Sequence, residues 1–183
     1  MSIEVFFLYD THCPWSYQTS KLVNQIAKNL PTSQIKLLHC GYFEDVQISK
    51  EALSQVTAIT DHKFSKAYTD MLDAPKNSTM AANLMSWAQN RSSRDALPLV
   101  NELFALHFEQ GLALTEKEEV DVVIDSLKLS PPAKAFKSEK FTKDSEAAFA
   151  EISEIQSVIG TDAIPALLLA YDDNLVLLNH NLY

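Results

Sequence analysis

The chain has 183 residues, a length that fits one domain, or one domain with a large insertion, around a substantial buried core. Its composition is globular, with 46% hydrophobic residues and only 3 glycines and 7 prolines, which argues against disordered or collagen-like organisation. A net charge of -9 and two lone arginines, Arg91 and Arg94, argue against a nucleic-acid partner, because binding a phosphate backbone requires clustered lysine and arginine.

No segment is predicted to cross a membrane or to direct export. The longest apolar run, Ala163 to Tyr171, falls far short of the roughly 20 residues that a bilayer requires. Glu4 stands where a secretory signal carries basic residues, and the apolar stretch that follows it is too short. We therefore expect a cytoplasmic protein without a membrane partner.

The first forty residues predict a β-α-β unit. Val5 to Tyr9 is a continuous apolar run, typical of a strand that is covered on both faces. Apolar residues recur at helical spacing from Trp15 to Leu30, just before Pro31, and Ile35 to Cys40 predicts a second strand. A crossover connection of this kind makes the two strands parallel.

From residue 49 to residue 160 the pattern is helical, without a convincing strand. The sequence predicts helices over Lys50 to Ala58, His62 to Leu72, Thr79 to Gln89, Pro98 to Gln110 and Glu116 to Leu127. Thr115 to Glu118 matches a capping box, and further helix starts are predicted at Ser78 and Ser130-Pro131.

A last helix and a hairpin complete the chain. The apolar face of this helix consists of Ala148, Ile152, Ile155 and Ile159. Gly160 is placed to end it in the left-handed conformation. Strand patterns return in Ala166 to Ala170 and Leu175 to Leu178, on either side of the turn residues Asp172 to Asn174.

The position best placed for chemistry is Cys13, in the turn Cys13-Pro14-Trp15-Ser16 between the first strand and the first helix. The unpaired N–H groups and the dipole at a helix start favour a thiolate, so we expect a lowered pKa for this cysteine. Ser16 takes the place of the second cysteine of a Cys-x-x-Cys redox pair. The turn therefore cannot close into a disulfide, which predicts one-thiol chemistry with Ser16 as a hydrogen-bond donor to the sulfur.

The second cysteine, Cys40, has two open interpretations. It could resolve a disulfide on Cys13 if parallel strands brought the two Cα atoms within about 7 Å, or it could be a small buried apolar residue. The five histidines are scattered and do not pair at ligand spacing, so no metal site is expected; they are His12, His39, His62, His107 and His180.

Two motifs together resemble the DsbA type of thioredoxin fold. They are Leu8 to Tyr17, which contains the Cys13 turn, and Gly160 to Ala166, which contains Ile164-Pro165. The resemblance covers nearly the whole chain and is closest to the cytoplasmic branch of predicted protein-disulfide isomerases and FrnE-like proteins, with chromene-carboxylate isomerases and kappa-class glutathione transferases as more distant relatives.

The resemblance implies an α/β fold in two parts. Residues 1–48 and 161–183 would form the thioredoxin-like domain, and residues 49–160 an all-helical insertion. It also implies that Ile164-Pro165 is a cis peptide facing Cys13, with the backbone before the proline binding an extended peptide or glutathione. A trans proline that opens an edge strand is the alternative.

Two departures from the family pattern concern His12 and the chain end. His12 could stabilise a Cys13 thiolate, or it could be an exposed turn residue of little effect. Little sequence follows Leu178, where the family adds a closing helix, so we expect either that this helix is absent or that a second copy covers the sheet in a homodimer.

These observations predict an enzyme with thiol-disulfide oxidoreductase or isomerase activity through Cys13 and Ser16, supported by His12, Pro14 and Trp15. Its substrates would be thiols or disulfides of peptides or glutathione, with glutathione as co-substrate and no bound cofactor. Two alternatives stay open. One is a glutathione-dependent transferase or isomerase of small aromatic compounds, and the other is a non-catalytic module that binds peptides or proteins.

Overall fold

A computed structural model describes residues 3–91, 93–172 and 174–178 of the chain. A four-stranded mixed sheet with the order β2-β1-β5-β6 forms its centre. β1 runs parallel to β2 and antiparallel to β5, and β5 and β6 form a hairpin. These strands are β1 (Ile3–Tyr9), β2 (Ile35–His39), β5 (Ala166–Tyr171) and β6 (Asn174–Leu178).

The helices account for most of the remaining described chain. They are α1 (Pro14–Ile26), α2 (Lys50–Thr60), α3 (Lys66–Asp70), α4 (Thr79–Arg91), α5 (Ser93–Phe108), α6 (Asp121–Ser126) and α7 (Lys143–Ile159), with 3₁₀ turns at Thr32–Gln34, Lys117–Glu119 and Ala133–Phe136. A separate two-stranded ribbon joins β3 (Glu44–Val46) to β4 (Lys76–Asn77).

Successive residues of β1 point to opposite faces of the sheet, because side chains alternate along a strand. Val5, Phe7 and Tyr9 pack in a core with α1 and the helices of the middle region. Leu8 packs on the other face, with Leu38, Leu168 and the apolar face of α7. The sheet is therefore covered on both sides, as the continuous apolar run in β1 predicts.

The predicted β-α-β unit, the left-handed Gly160 after α7 and the final hairpin are confirmed. The core on the α1 face of the sheet contains residues from both sides of the predicted domain boundary at residue 49. The prediction that residues 49–160 are all-helical is wrong at β4. The predicted segment 161–183 extends past Leu178, the last described residue.

Several helix boundaries differ from the predicted ones for local reasons. α1 ends at Ile26 rather than Leu30, because hydrogen bonds between residues three positions apart tighten the chain after Gln25. α3 begins only after Ser65, whose hydroxyl caps it by accepting the N–H of Tyr68. α5 begins at Ser93 and contains Pro98 within it.

Two predicted helix starts are also wrong. The capping box is formed by Glu116 and Glu119, one residue later than predicted, because Glu119 reaches back to the N–H groups before the turn. It opens a 3₁₀ turn, and α6 follows only at Asp121. The Ser130-Pro131 signal precedes the 3₁₀ turn Ala133–Phe136 rather than an α-helix.

Gly111 allows the segment after α5 to approach α3 closely. Its φ is +71°, and a Cβ atom there would lie 2.5 Å from the backbone oxygen of Ala67. The next two residues accept hydrogen bonds from buried histidines, Leu112 O from His107 and Ala113 O from His12. This close approach therefore positions a segment that contacts the Cys13 turn.

We predict that Gly111→Ala lowers the free energy of unfolding by clearly more than Gly160→Ala. Gly160 has a matching φ of +72°, and no atom of the described residues lies within 4 Å of its Cβ position, so its substitution adds only backbone strain of about 1–2 kcal/mol. Gly111→Ala adds overpacking of roughly 1–3 kcal/mol to that strain. Urea unfolding measures both variants, and equal losses would contradict the close approach.

Candidate active site

Cys13 is the residue that precedes the first turn of α1, where β1 passes into the helix. Its backbone is extended, with φ -86° and ψ 117°, and Pro14 follows as the first helical residue. Proline suits this position because the N–H that it lacks would have no partner inside the helix. The Cys13 N–H donates to the carbonyl of Asp10 at 3.1 Å, which closes the turn.

Ser16 is buried in the first turn of α1 and orients its hydroxyl toward the sulfur. The N–H of Asp10 donates to Ser16 Oγ at 3.2 Å, which leaves the hydroxyl proton free to donate elsewhere. That hydroxyl, together with the N–H groups of Ser16 and Trp15, lowers the pKa of Cys13. This direction is the one expected of a hydrogen-bond donor to the sulfur, and the catalytic role of Ser16 stays a prediction.

The pKa of Cys13 nevertheless lies above its ordinary value, so the predicted lowered pKa is wrong. Burial raises it most, since only 7% of the residue is exposed, and the carboxylate of Asp10 raises it further. The donors at the start of α1 reduce this rise without reversing it. In the folded protein, Cys13 is mainly a thiol at neutral pH.

Asp10 is a fully buried carboxylate that joins three segments of the chain. Its Oδ1 accepts the N–H of His12 at 2.9 Å, and its Oδ2 accepts the N–H of Tyr42 and the hydroxyl of Ser78, both at 2.8 Å. Burial alone would raise its pKa, but His39 and the hydrogen bonds from His12 hold the pKa well below its usual range.

His39 lies at the end of β2 with both ring nitrogens near backbone donors. The N–H of Thr11 lies 3.1 Å from Nε2 and the N–H of Gly41 lies 3.1 Å from Nδ1, and a neutral ring can accept only one of these two hydrogen bonds. A doubly protonated ring would oppose both donors. Burial lowers the pKa of His39 to about 4, despite the opposing effect of Asp10, so this ring is neutral at neutral pH.

His12 is fully buried, which excludes the predicted alternative of an exposed turn residue. Its Nε2 lies 2.9 Å from the carbonyl oxygen of Ala113, so this nitrogen is the donor. Its ring centroid lies 4.3 Å from that of His107 on α5. Burial, followed by His12, holds the pKa of His107 well below its usual value.

The helical region between residues 49 and 160 also contacts the residues that follow Cys13 in the sequence. The ring of Tyr17 stacks on Phe108 with centroids 4.6 Å apart, and its hydroxyl donates to Glu109 at 3.0 Å. Further aromatic rings around Tyr17 belong to His62, Phe64 and Phe104. Residues on both sides of Cys13 therefore contact this region, which is consistent with the burial of the thiol.

Cys40 is buried just after β2 and carries a free thiol. It packs with Leu8, Leu38 and Ile152 on the α7 face of the sheet, as the apolar interpretation predicts. Burial, Asp10 and Cys13 all raise its pKa. The thiolate that a resolving cysteine needs is therefore strongly disfavoured here.

The peptide bond Ile164-Pro165 is cis. Pro165 directly precedes β5, whose first residue, Ala166, pairs with Leu8 of β1. Pro165 and the turn after β1 consequently lie at the same end of these two neighbouring strands. Both Ile164 and Pro165 are half-buried.

The sequence alone does not identify Asp10 or Ser78 as parts of this site. One feature of the sequence could have indicated Asp10: it is a carboxylate that directly follows an apolar strand. The pattern around Ser78 predicts only a helix start. Among the described residues, no group of three or more metal-ligating side chains could hold a metal ion.

The mixed sheet, the Cys13 turn and the cis proline before β5 define a thioredoxin fold. The DSBA-like thioredoxin domain matches residues 3–157, and the chain belongs to this family. No curated protein sequence matches the chain. In the part of the chain that the structure describes, no helix is long and apolar enough to span a membrane.

Solved structures with this fold include the cytosolic disulfide reductase DsbM from Pseudomonas aeruginosa, also solved with GSH. It is 20% identical, has a TM-score of 0.80, and the match covers 98% of this chain and 91% of DsbM. A candidate protein disulfide isomerase from Nitrosomonas europaea is 12% identical, with a TM-score of 0.73 over 98% and 90% of the chains. A 2-hydroxychromene-2-carboxylate isomerase is 13% identical, with a TM-score of 0.57 over 94% and 87%.

We predict that alkylation of Cys13 by iodoacetamide accelerates with rising pH beyond about pH 9, because the raised pKa delays formation of the thiolate. Ser16→Ala removes a hydroxyl that lowers the pKa of Cys13, so the pKa rises further and alkylation at neutral pH slows roughly tenfold. Peptide mass spectrometry assigns the label to Cys13.

Ser20→Ala is the matched control for this measurement. Ser20 is another buried serine of α1, but its hydroxyl donates to the carbonyl of Tyr17 rather than to the sulfur. Its alkylation profile should match the wild type. A rate that already levels off near neutral pH, or equal effects of the two serine variants, would contradict the assignment.

Proposed function

We propose that this chain is a cytoplasmic thiol-disulfide oxidoreductase that reduces mixed disulfides of glutathione through the single nucleophile Cys13. The observation that carries the proposal is the arrangement at the start of α1, where Ser16 directs its hydroxyl at the Cys13 sulfur and occupies the place of a second cysteine. Membership of the DSBA-like thioredoxin domain family supports thiol chemistry at this turn.

The proposed reaction has two exchange steps, and Cys13 ends as it began. The Cys13 thiolate attacks the glutathionyl sulfur of the substrate, the substrate S–S bond breaks, and the released thiolate takes a proton from water. A glutathione thiolate then attacks the glutathionyl sulfur on Cys13. Oxidised glutathione forms, Cys13 is regenerated, and two electrons have passed from glutathione to the substrate.

The raised pKa of Cys13 supports reduction rather than oxidation. A strongly oxidising site of this fold stabilises its reduced form, because the released thiolate has a low pKa. Burial and Asp10 do the opposite at Cys13. The mixed disulfide on this cysteine is therefore favoured relative to its thiolate, so the protein acts as an electron donor toward its substrate.

We assign substrate binding to the backbone of Ile164 before Pro165. Ile164 lies at the same end of the sheet as the Cys13 turn, which supports this role. An extended glutathione or peptide segment could pair with its backbone as an added strand. A thiol from outside the chain resolves the intermediate, since Cys40 is buried with a strongly raised pKa. The structure of DsbM with GSH is consistent with glutathione in this role.

A non-catalytic thioredoxin-like binding module is the second candidate. The raised pKa of Cys13 favours it, because a buried thiol reacts slowly at neutral pH. The two candidates differ in whether the protein turns over a glutathione mixed disulfide.

We predict that the wild type reduces a glutathionylated peptide with glutathione as electron donor, and that Cys13→Ser abolishes this turnover. Cys40→Ser should largely retain the activity, because Cys40 takes no part in either exchange step. The release of oxidised glutathione, followed with glutathione reductase and NADPH, measures the rate.

Mass spectrometry after incubation with oxidised glutathione should find one glutathionyl adduct, on Cys13. Equal turnover by the Cys13→Ser variant would refute the role of this cysteine. Absence of turnover in the wild type would favour the binding module instead.

A further inference from the structure

A cleft lies beside the outer edge of β2, between α4 and α7. Its volume is about 340 Å³, which suits a small organic molecule. The cleft adjoins the middle of β2, whereas the Cys13 turn lies beyond the end of β1. It is therefore separate from the candidate active site.

The backbone of β2 is open to this cleft because β2 is an edge strand of the sheet. The N–H of Leu37 donates to Gln89 Oε1 at 3.0 Å instead of to β1. The carbonyl of Leu37 lies on the same side of the strand, so it also points away from β1. With this N–H already paired and a helix on either side, the edge suits a small ligand better than an added strand.

The wall that α4 contributes contains an unpaired polar group. Ser86 lines the cleft and is only 4% exposed, and its hydroxyl has no hydrogen-bond partner among the described residues. Buried polar groups are paired in the great majority of cases. A serine hydroxyl turns about one side-chain bond, so a ligand in the cleft with an acceptor group would satisfy it.

Two opposite charges line the more exposed side of the cleft. Lys36 Nζ lies 3.4 Å from Glu151 Oε1, and the two side chains are 38% and 41% exposed. The ring of Phe6, with its centroid 5.1 Å from Nζ, helps to hold the ammonium group in place. An ion pair this exposed contributes little to stability, so a ligand that pairs with each charge separates it at low cost. Because the pair has no net charge, the matching ligand is a zwitterion.

We propose that this cleft binds a free α-amino acid with an aliphatic side chain. Its carboxylate accepts hydrogen bonds from Lys36 and Ser86, and its ammonium group donates to Glu151 and to the carbonyl of Leu37. Its side chain packs against Ala148 of α7, whose small size leaves room for it. The inference is independent of the proposed function, since neither exchange step involves these residues.

The test is an NMR titration of the full chain with L-leucine, N-acetyl-L-leucine and L-leucinamide. The three probes share one side chain, but the second lacks the ammonium group and the third lacks the carboxylate. We expect L-leucine to shift the backbone amide signals of Leu37 and Ser86 saturably, and to bind at least tenfold more tightly than either derivative. No saturable shift with L-leucine, or equal affinity for the three probes, would overturn the proposal.

Variants of the two charged residues give a crossed pattern that apolar contact alone would not produce. Glu151→Gln should weaken the binding of L-leucine about tenfold without weakening that of N-acetyl-L-leucine, which has no ammonium group. Lys36→Met should weaken the binding of L-leucine about tenfold without weakening that of L-leucinamide, which has no carboxylate. Equal losses for all three probes in both variants would refute the assigned contacts.

Two further variants test the inner part of the cleft. Ser86→Ala removes only an unpartnered hydroxyl, so the fold should be retained, which urea unfolding checks, and the affinity for L-leucine should fall severalfold. Ala148→Leu fills the cleft and should abolish the binding of L-leucine. Wild-type affinity in Ala148→Leu would place the bound leucine elsewhere and overturn the proposal.

Asp121→Asn is the matched control. It also removes a carboxylate from an exposed ion pair, in which Lys117 Nζ lies 2.7 Å from Asp121 Oδ1, but neither residue lines the cleft. Its affinity for L-leucine should equal that of the wild type. A loss as large as that in Glu151→Gln would reduce the effect to the overall charge of the protein and contradict a defined site.

Discussion

The hydrogen bonds that the buried carboxylate of Asp10 accepts are the interactions on which the rest of the site depends. It binds the Cys13 turn through the N–H of His12, the segment after β2 through the N–H of Tyr42, and the start of α4 through the hydroxyl of Ser78. A buried charge is tolerated only where hydrogen bonds replace its lost water. Two of these donors, on Tyr42 and Ser78, lie far from Asp10 in the sequence, so the ionised form of Asp10 and the assembled site require each other.

The same carboxylate also affects the chemistry of Cys13. It places a negative charge near a thiol that burial already keeps protonated, whereas Ser16 and the N–H groups of α1 favour the thiolate. A helix start by itself would give a reactive, low-pKa cysteine. The helical region, which holds His12 and Tyr17 on either side of the turn, reverses that outcome by excluding solvent. The raised pKa of Cys13 is consistent with the proposed role as an electron donor.

Local patterns were sufficient to predict the sheet and the placement of the Cys13 turn. The apolar run of β1, the left-handed Gly160 and the final hairpin each depend on neighbouring residues, and the structure contains all three. The burial of Cys13 depends instead on packing by helices more than fifty positions away. Asp10 and Ser78 are 68 positions apart, and no local pattern links them. Prediction from one sequence therefore placed Cys13 at the strand-to-helix turn but gave its pKa the wrong direction.

The measurement that tests this account most directly combines the stability and the thiol pKa of Asp10→Asn. The account predicts a loss of about 2–4 kcal/mol in the free energy of unfolding, because an amide cannot accept all the hydrogen bonds that the carboxylate accepts. It also predicts that the apparent pKa of Cys13, from alkylation across pH, is lower than in the wild type, because a nearby negative charge is removed. Unchanged stability together with an unchanged or higher Cys13 pKa would contradict the central role of Asp10.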